Sequence, residues 1–347
     1  MARGGVPMRI ALYADRPASY GGIETHMATL AKELVLLGHQ VRLCFPRIVQ
    51  TELFADAVQH GAVLEAADPE RLRQLASRDR IDVLHAHSFR ASLAAGEIMR
   101  RTGVPAVVTL HSPGQRLPGP GRAAALIAVS GEISDILARQ GLAHARIENG
   151  VDLRRFHPDP APKPRSKPRL RLVYLGRVSP AKVEGLRELH RAVAFRRDVE
   201  LRYVSDWAPD GKARPATAVE DQLRRADAVL ATGRGVREAM ACGCAALVLG
   251  SYWDGPVTPE NVDRLEWFNF SGRESRQRPT AERMAPAIRE LAQNPRRLLE
   301  LKAFGARLAK ARWDAREMAR RTLAVYQEAC SAPPRAAAAG SRGLANT

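Results

Sequence analysis

The chain has 347 residues, of which 45% are hydrophobic and 26% charged. That balance fits a globular protein and excludes collagenous, coiled-coil and disordered classes. The length suits two domains of about 150 residues each. No apolar run approaches the roughly 18 residues of a spanning helix, so no transmembrane segment is expected. Met1–Pro7 has no apolar h-region, so no secretory signal is expected either. The formal net charge is +17, and 47 of the 54 basic residues are arginine. Such a surface attracts the phosphates of nucleotides, nucleic acids and lipid headgroups without choosing among them. The four cysteines (Cys44, Cys242, Cys244 and Cys330) are too sparse for a disulfide framework. Cys242-Gly243-Cys244 has no second ligand pair for zinc. A reduced, cytoplasmic protein is the expectation.

Arg9–Ala14 reads as a buried strand. Ile23, Met27, Leu30, Ala31 and Leu34 then form one apolar stripe at helical period, and Gly38 can take the left-handed position past its end. Further strands are predicted at Val41–Phe45, Val83–Ala86, Ala106–Leu110 and Leu126–Val129, with helices between most of them. Strand–helix alternation predicts a parallel sheet covered on both faces. Pro158–Pro168 holds five prolines and three basic residues and reads as a semi-rigid linker. Alternation resumes at Leu170–Leu175, Leu201–Val204, Ala228–Ala231 and Ala245–Leu249, and Arg312–Cys330 reads as a helix. The expected organisation is an α/β protein of two Rossmann-like lobes facing a cleft. Residues 1–157 form the first lobe, 158–168 the linker, 169–311 the second lobe, 312–330 a final helix and 331–347 a disordered tail. Ligands of such folds bind at the carboxyl ends of the strands.

The first of these loops ends in Gly21-Gly22 at a helix start. Glycine admits a ligand close to the backbone, and helix N-terminal amides favour anions. The pattern is not the G-x-G-x-x-G fingerprint, so a nicotinamide cofactor is not supported. The motif Gly21-Gly22-Ile23-Glu24-Thr25-His26 is followed by Leu30–Leu34, Gly38–Val41 and Asp82–Ser88. Val108–His111, Ile127–Ser130, Glu148–Asp152, Tyr174–Lys182 and Glu238–Gly243 come next, in that order. Together, over roughly residues 8 to 330, these motifs resemble those of the family-4 retaining glycosyltransferases of the GT-B fold.

The resemblance implies a retaining, metal-independent glycosyltransferase. It would move a hexosyl group from a nucleotide-diphospho-sugar, such as a UDP- or GDP-sugar, to a glycan, lipid or small-molecule acceptor. No separate cofactor is implied. A leaving diphosphate needs fixed positive charge or a metal. Arg177 and Lys182, five residues apart after a strand, are the pair implied to supply it. Glu238 is implied to hold the ribose and is expected to open a helix; Gly22, Gly233 and Arg234 complete the donor side. His111 is implied to touch the transferred sugar. Gly21, Gly22 and His87 are placed on the acceptor side, and the last helix is implied to cross back to the first lobe. The sequence departs from the family in two places. The motif's other glutamate, eight residues before Glu238, is Leu230, and the stretch between Val204 and Val219 is short.

His85 and His87 are expected on opposite faces of their strand, one a satisfied core histidine and His87 the cleft residue. Ser130 is expected to cap a helix. Asn149-Gly150 is a turn signal, and Asp152 is expected to cap the turn toward Phe156. Three rivals share these observations: a non-catalytic nucleotide-sugar-binding protein, a sugar-nucleotide epimerase, and a nucleic-acid binder suggested by charge alone and unsupported by any motif. Cell-envelope glycan synthesis, with peripheral contact at the inner membrane face, is an expectation drawn from the basic surface and the family.

Overall fold

The computed structural model describes residues 6–117, 119, 121–159, 169–214 and 218–331. Most of the Pro-rich segment and the tail from residue 332 lie outside the described residues.

The first lobe is built from β1 (Arg9–Tyr13), α1 (Gly22–Leu36), β2 (Gln40–Phe45), α2 (Ala55–Gln59), β3 (Val63–Ala66), α3 (Pro69–Arg78), β4 (Val83–Ala86), α4 (Phe89–Thr102), β5 (Ala106–Leu110), β6 (Ala125–Ala128), α5 (Gly131–Arg139) and β7 (Ala145–Arg146). Its seven strands run in the order β3-β2-β1-β4-β5-β6-β7, with parallel pairing throughout. The central strands are buried on both faces, as crossover helices require; Val83–Ala86 and Ala106–Leu110 have no exposed residue. Gly38 has φ of +93°, in the left-handed region past α1.

The second lobe contains β8 (Leu170–Leu175), α6 (Pro180–Val193), β9 (Val199–Val204), α7 (Val219–Arg225), β10 (Ala228–Ala231), α8 (Arg234–Ala241), β11 (Ala245–Leu249), β12 (Trp253–Pro256), α9 (Val262–Trp267), α10 (Ala281–Gln293) and α11 (Pro295–Arg312). The sheet order is β12-β11-β10-β8-β9, with β12 antiparallel to β11. Between β9 and α7 there is no further strand or helix among the described residues, in line with the short stretch noted in the sequence. The fold is therefore a two-lobed, Rossmann-like GT-B arrangement.

The terminal helix expected over Arg312–Cys330 starts three residues later. α11 stops at Arg312, and α12 (Ala315–Ser331) starts after Trp313-Asp314. α12 leaves the second lobe and joins the core of the first: Met318, Ala319, Val325 and Tyr326 pack in one cluster with Met27, Leu30 and Leu34 of α1. Where the chain crosses, Val151 N donates to Trp313 O at 2.6 Å and Ala315 N donates to Val151 O at 3.0 Å. A Cβ on Gly150 would lie 2.5 Å from Ala315 Cα, so only glycine permits this approach.

The lobes also meet beside the cleft. Glu132 accepts from Arg273 at 2.5 Å, and the Arg146 guanidinium lies 5.0 Å from the Trp267 ring centroid. A Cβ on Gly131, the first residue of α5, would fall inside the Trp267 ring. Gly131→Ala should therefore cost about 1–3 kcal/mol through overpacking, with the lobes forced apart. Denaturant unfolding and small-angle scattering check this; wild-type stability together with a wild-type radius of gyration would refute it.

Candidate active site

The carboxyl ends of β1, β4 and β5 face those of β8 and β10 across the cleft. α1 begins at Gly22, capped by Gly21 in extended backbone. Gly22 is exposed, and a Cβ there would meet nothing within 4 Å, so the loop opens on free space. Glu24, in the first turn, is buried and forms an ion pair with Arg16 at 3.1 Å. Burial pushes its carboxyl pKa up, against the pull of Arg16 and Arg177. Arg177, on the second lobe, thus acts on the same ground as the Gly21-Gly22 loop of the first.

Arg177 is exposed in the loop after β8, and Lys182 is half-buried in the first turn of α6. Lys182 Nζ donates to Arg177 O and Thr232 Oγ1, both at 3.3 Å. Among the described residues no carboxylate lies within ion-pair distance of this ammonium. Burial lowers its pKa, and Asp206 offsets that only in part. The group has lost water, holds only two long contacts to neutral acceptors, and lies at a helix N-terminus where an anion is favoured. These are the properties of a partly desolvated cation placed where an anion would be favoured.

Glu238 does not open its helix. α8 starts at Arg234, after Gly233 at φ of +58°, and Glu238 stands one turn further in. The reason is spacing: at i+4 its carboxylate faces Arg234, whose Nε and a terminal nitrogen donate to Glu238 Oε1 at 3.1 and 3.0 Å. The same guanidinium reaches Gly150 O at 3.0 Å and Thr29 Oγ1 of α1 at 3.2 Å. Arg234 is buried and bridges the two lobes, a role its donor-side assignment did not include.

Leu230 is also corrected. It lies in the middle of β10, is fully buried, and packs with Leu172, Tyr174, Leu247 and Leu249. The β10–α8 connection is too short for the position eight residues before Glu238 to reach the cleft. Counting back therefore lands in the sheet, and the altered sugar contact expected there is not made by this residue.

The histidines form one cluster. His85 and His87 were expected on opposite faces, but their ring centroids are 4.0 Å apart. Residues two apart along a strand share a face. His85 is the satisfied core histidine: Nε2 meets Thr109 Oγ1 at 2.7 Å and Nδ1 meets Tyr326 Oη of α12 at 2.6 Å. His87 is fully buried rather than cleft-lining. Its Nδ1 lies 3.1 Å from His111 Nε2, and its Nε2 has no partner. His111, just past β5, is the half-buried member that meets the cleft.

His26 of α1 completes the group, with its ring 5.0 Å from His111 and its Nδ1 at 2.9 Å from Asn149 Oδ1. Burial, aided by Arg234, pushes the His26 pKa down to about 3, and burial holds those of His87 and His111 well below the usual value. All are neutral imidazoles at physiological pH. His26 and Asn149 were not assigned to the site from sequence. The available signal was a polar residue one turn before Leu30 on the buried stripe of α1.

Beside His111 a cavity of about 390 Å³ is lined by Phe89, Leu110, Gln115, Arg116, Ile133 and Ile136. Ser130 caps α5 as expected, accepting from Ile133 N. Asp152 does more than cap a turn: besides accepting from Phe156 N at 2.8 Å through its carbonyl, its carboxylate takes Lys32 Nζ at 2.6 Å. Burial favours its neutral acid, but the Lys32 contact prevails and holds the carboxyl below its usual value. The four cysteines are free thiols. Among the described residues no helix is long and apolar enough to cross a membrane.

Phosphate binding at Lys182 must favour its ammonium and raise the lowered pKa. Nucleoside diphosphate binding should therefore take up protons as pH rises toward 10.5, the ordinary lysine value. Calorimetry in buffers of different ionisation enthalpy measures this. Lys182→Met should abolish the uptake; uptake unchanged in that variant would remove Lys182 from the anion site.

Residues 20–155 match the family model described as Glycosyltransferase Family 4. No curated protein matches the chain by sequence. Several solved structures share its fold. HepE of Anabaena, crystallised with UDP and glucose, superposes with a TM-score of 0.66 at 15% identity, covering 92% of this chain and 99% of that one. A glycosyltransferase from Rickettsia africae gives 0.65 at 12% identity, covering 94% and 100%. The sucrose-phosphate synthase of Thermosynechococcus elongatus gives 0.65 at 16% identity, covering 92% and 98%. The chain thus has the GT-B fold of these proteins, and its first lobe carries the sequence pattern of Glycosyltransferase Family 4.

Proposed function

We propose that the protein is a glycosyltransferase that moves a hexosyl group from a nucleotide-diphospho-sugar, with retention and without a metal at the diphosphate. The observation that carries this reading is Lys182, half-buried without a carboxylate, beside Arg177 and opposite the Gly21-Gly22 helix start. A site built this way can stabilise charge that develops on a leaving diphosphate, because Lys182 is already partly desolvated and held by its contacts to Arg177 O and Thr232 Oγ1, with the exposed Arg177 beside it. The first-lobe match to Glycosyltransferase Family 4 and the crystallisation of HepE with UDP and glucose support it.

In this reading Glu238 accepts from the ribose hydroxyls and His111 touches the transferred sugar. The cavity beside His111 holds the acceptor, and its apolar wall with Arg116 at the edge suits a molecule with an apolar part and a polar or anionic one. A glycan or lipid acceptor fits that description. In this reading the protein works in the cytoplasm, and its net charge of +17 supports peripheral contact with an anionic membrane face.

Thermal-shift screening with UDP-, GDP- and ADP-sugars, followed by turnover of the hits, tests the reading; no stabilisation by any of them would reject it. Arg177→Ala should lower the rate by about 2.7–4 kcal/mol of transition-state stabilisation. Activity should persist in excess chelator, and full dependence on added Mn²⁺ or Mg²⁺ would end the metal-free mechanism. Glu238→Ala should weaken the free nucleoside diphosphate by about 1.5–3 kcal/mol, the value of a hydrogen bond to a charged group. Calorimetry showing wild-type affinity would remove Glu238 from the ribose.

A further inference from the structure

Three imidazoles meet below the cleft from three separate elements: His26 from α1, His87 from the end of β4 and His111 from the end of β5. One ring nitrogen of each lies within 4.8 Å of one from each of the others. We propose that His26, His87 and His111 bind one divalent transition-metal ion of zinc type, and that its presence withdraws His111 from the donor sugar. The second half rests on the role given to His111 above; the site itself does not.

Four observations on these residues converge. First, Asn149 Oδ1 can only accept, so its 2.9 Å contact fixes the His26 proton on Nδ1 and leaves the Nε2 lone pair available. An outer carbonyl that orients a ligating histidine in this way is the usual support of a metal–imidazole bond. Second, His87 Nε2 is buried with no hydrogen-bond partner, while Nδ1 shares a single proton with His111 Nε2. An orphaned nitrogen in a fully buried ring needs an explanation, and ligation supplies a partner. Third, the three rings are held together by separate elements, α1 and the ends of β4 and β5, so their convergence is fixed by the fold and not by one flexible loop. Fourth, no carboxylate belongs to the cluster. Three nitrogens without hard oxygen ligands select Zn²⁺, Co²⁺, Ni²⁺ or Cu²⁺ over Mg²⁺ and Ca²⁺.

His85 is not a ligand, because Thr109 and Tyr326 engage both of its nitrogens. Its ring packs against that of His87, with centroids 4.0 Å apart and planes tilted by 41°. Zn–N bonds of about 2.0–2.1 Å put tetrahedral ligand atoms about 3.4 Å apart. Nitrogens within 4.8 Å of one another reach that spacing by small ring rotations, and the half-buried His111 has the most freedom to make them. The fourth position of the ion would face the cleft. No ligand comes from the second lobe, so the ion would not be a diphosphate metal.

The test uses the full chain without an affinity tag, stripped of metal and titrated with Co²⁺, whose ligand-field absorption reports nitrogen coordination without reference to turnover. One equivalent should give a visible band that Zn²⁺ abolishes. His26→Gln should lose the band, and Asn149→Ala, which removes no ligand, should weaken binding 10- to 100-fold. No band in the wild type, or equal binding by the wild type and both variants, overturns the site. Zn²⁺ should also inhibit turnover competitively with the donor. A cobalt band without such inhibition overturns the exclusion of donor. If no donor supports turnover at all, the glycosyl-transfer reading fails and the cobalt titration still decides the site.

Discussion

The relative position of the two lobes depends first on the crossing where Gly150-Val151-Asp152 passes Trp313-Asp314-Ala315, supported by the Arg234, Glu132–Arg273 and Gly131–Trp267 contacts. Two reciprocal backbone hydrogen bonds join these segments, and the missing side chain of Gly150 sets how closely they approach. Asp152 then ties the crossing to α1 through Lys32, which also holds Asp56 of α2 at 2.5 Å. Both members of the Lys32–Asp152 pair are buried and each has a second partner, Asp56 for Lys32 and Arg154 at 3.2 Å for Asp152, so the junction is a small network of ion pairs. The site depends on this junction directly. Asn149, one residue before it, orients His26, and Gly150 O receives Arg234 from the second lobe. A shift of the crossing would move the histidine cluster and the donor-side helix together.

The chemistry of the cleft follows from where charge has been desolvated. The first lobe contributes neutral imidazoles and the uncharged Gly21-Gly22 helix start. The second contributes Lys182, Arg177 and the Arg234–Glu238 pair. Lys182 is half-buried with no carboxylate within ion-pair distance among the described residues, and Asp206 offsets its burial only in part. Arg234 is in the opposite condition, with Glu238, a backbone carbonyl and a hydroxyl satisfying most of its donors. It acts as a strut between lobes, and a ribose at Glu238 would share a carboxylate already partly engaged. A second buried arginine, Arg237, packs between Phe270 and Trp313 at 4.9 and 5.3 Å and donates to Asn269 Oδ1 at 2.6 Å. It anchors α8 from behind while Arg234 anchors it from the front.

Much of the frame was legible in the residues. Continuous apolar runs such as Ala228–Ala231 and Ala245–Leu249 have few alternatives to a buried strand, and the stripe Ile23–Leu34 has few alternatives to a helix. Gly21-Gly22 and Lys182 are placed by local order alone, because each sits within a few residues of a strand end. Leu230 was reached by counting back eight residues from Glu238, and counting says nothing about whether the chain is already in the sheet, where β10 ends only at Ala231. His87 was assigned to the cleft from its place at a strand end, yet α1 lies over that end and buries it.

Local properties are therefore what the sequence by itself determined: strand or helix from hydrophobic period, the breaks from glycine and proline, the alternation that makes two parallel sheets, and the loops at which an anion can bind. These follow from interactions between residues near one another in the chain. The tertiary structure alone decided which polar groups meet inside. His26 joins His87 and His111 from 61 and 85 residues away, Arg234 reaches Thr29 across 205, and His85 meets Tyr326 across 241. No periodicity encodes such pairings. They arise because packing two lobes on one crossing buries polar side chains from both, and each must then find its hydrogen-bond partner among whatever the fold has brought beside it.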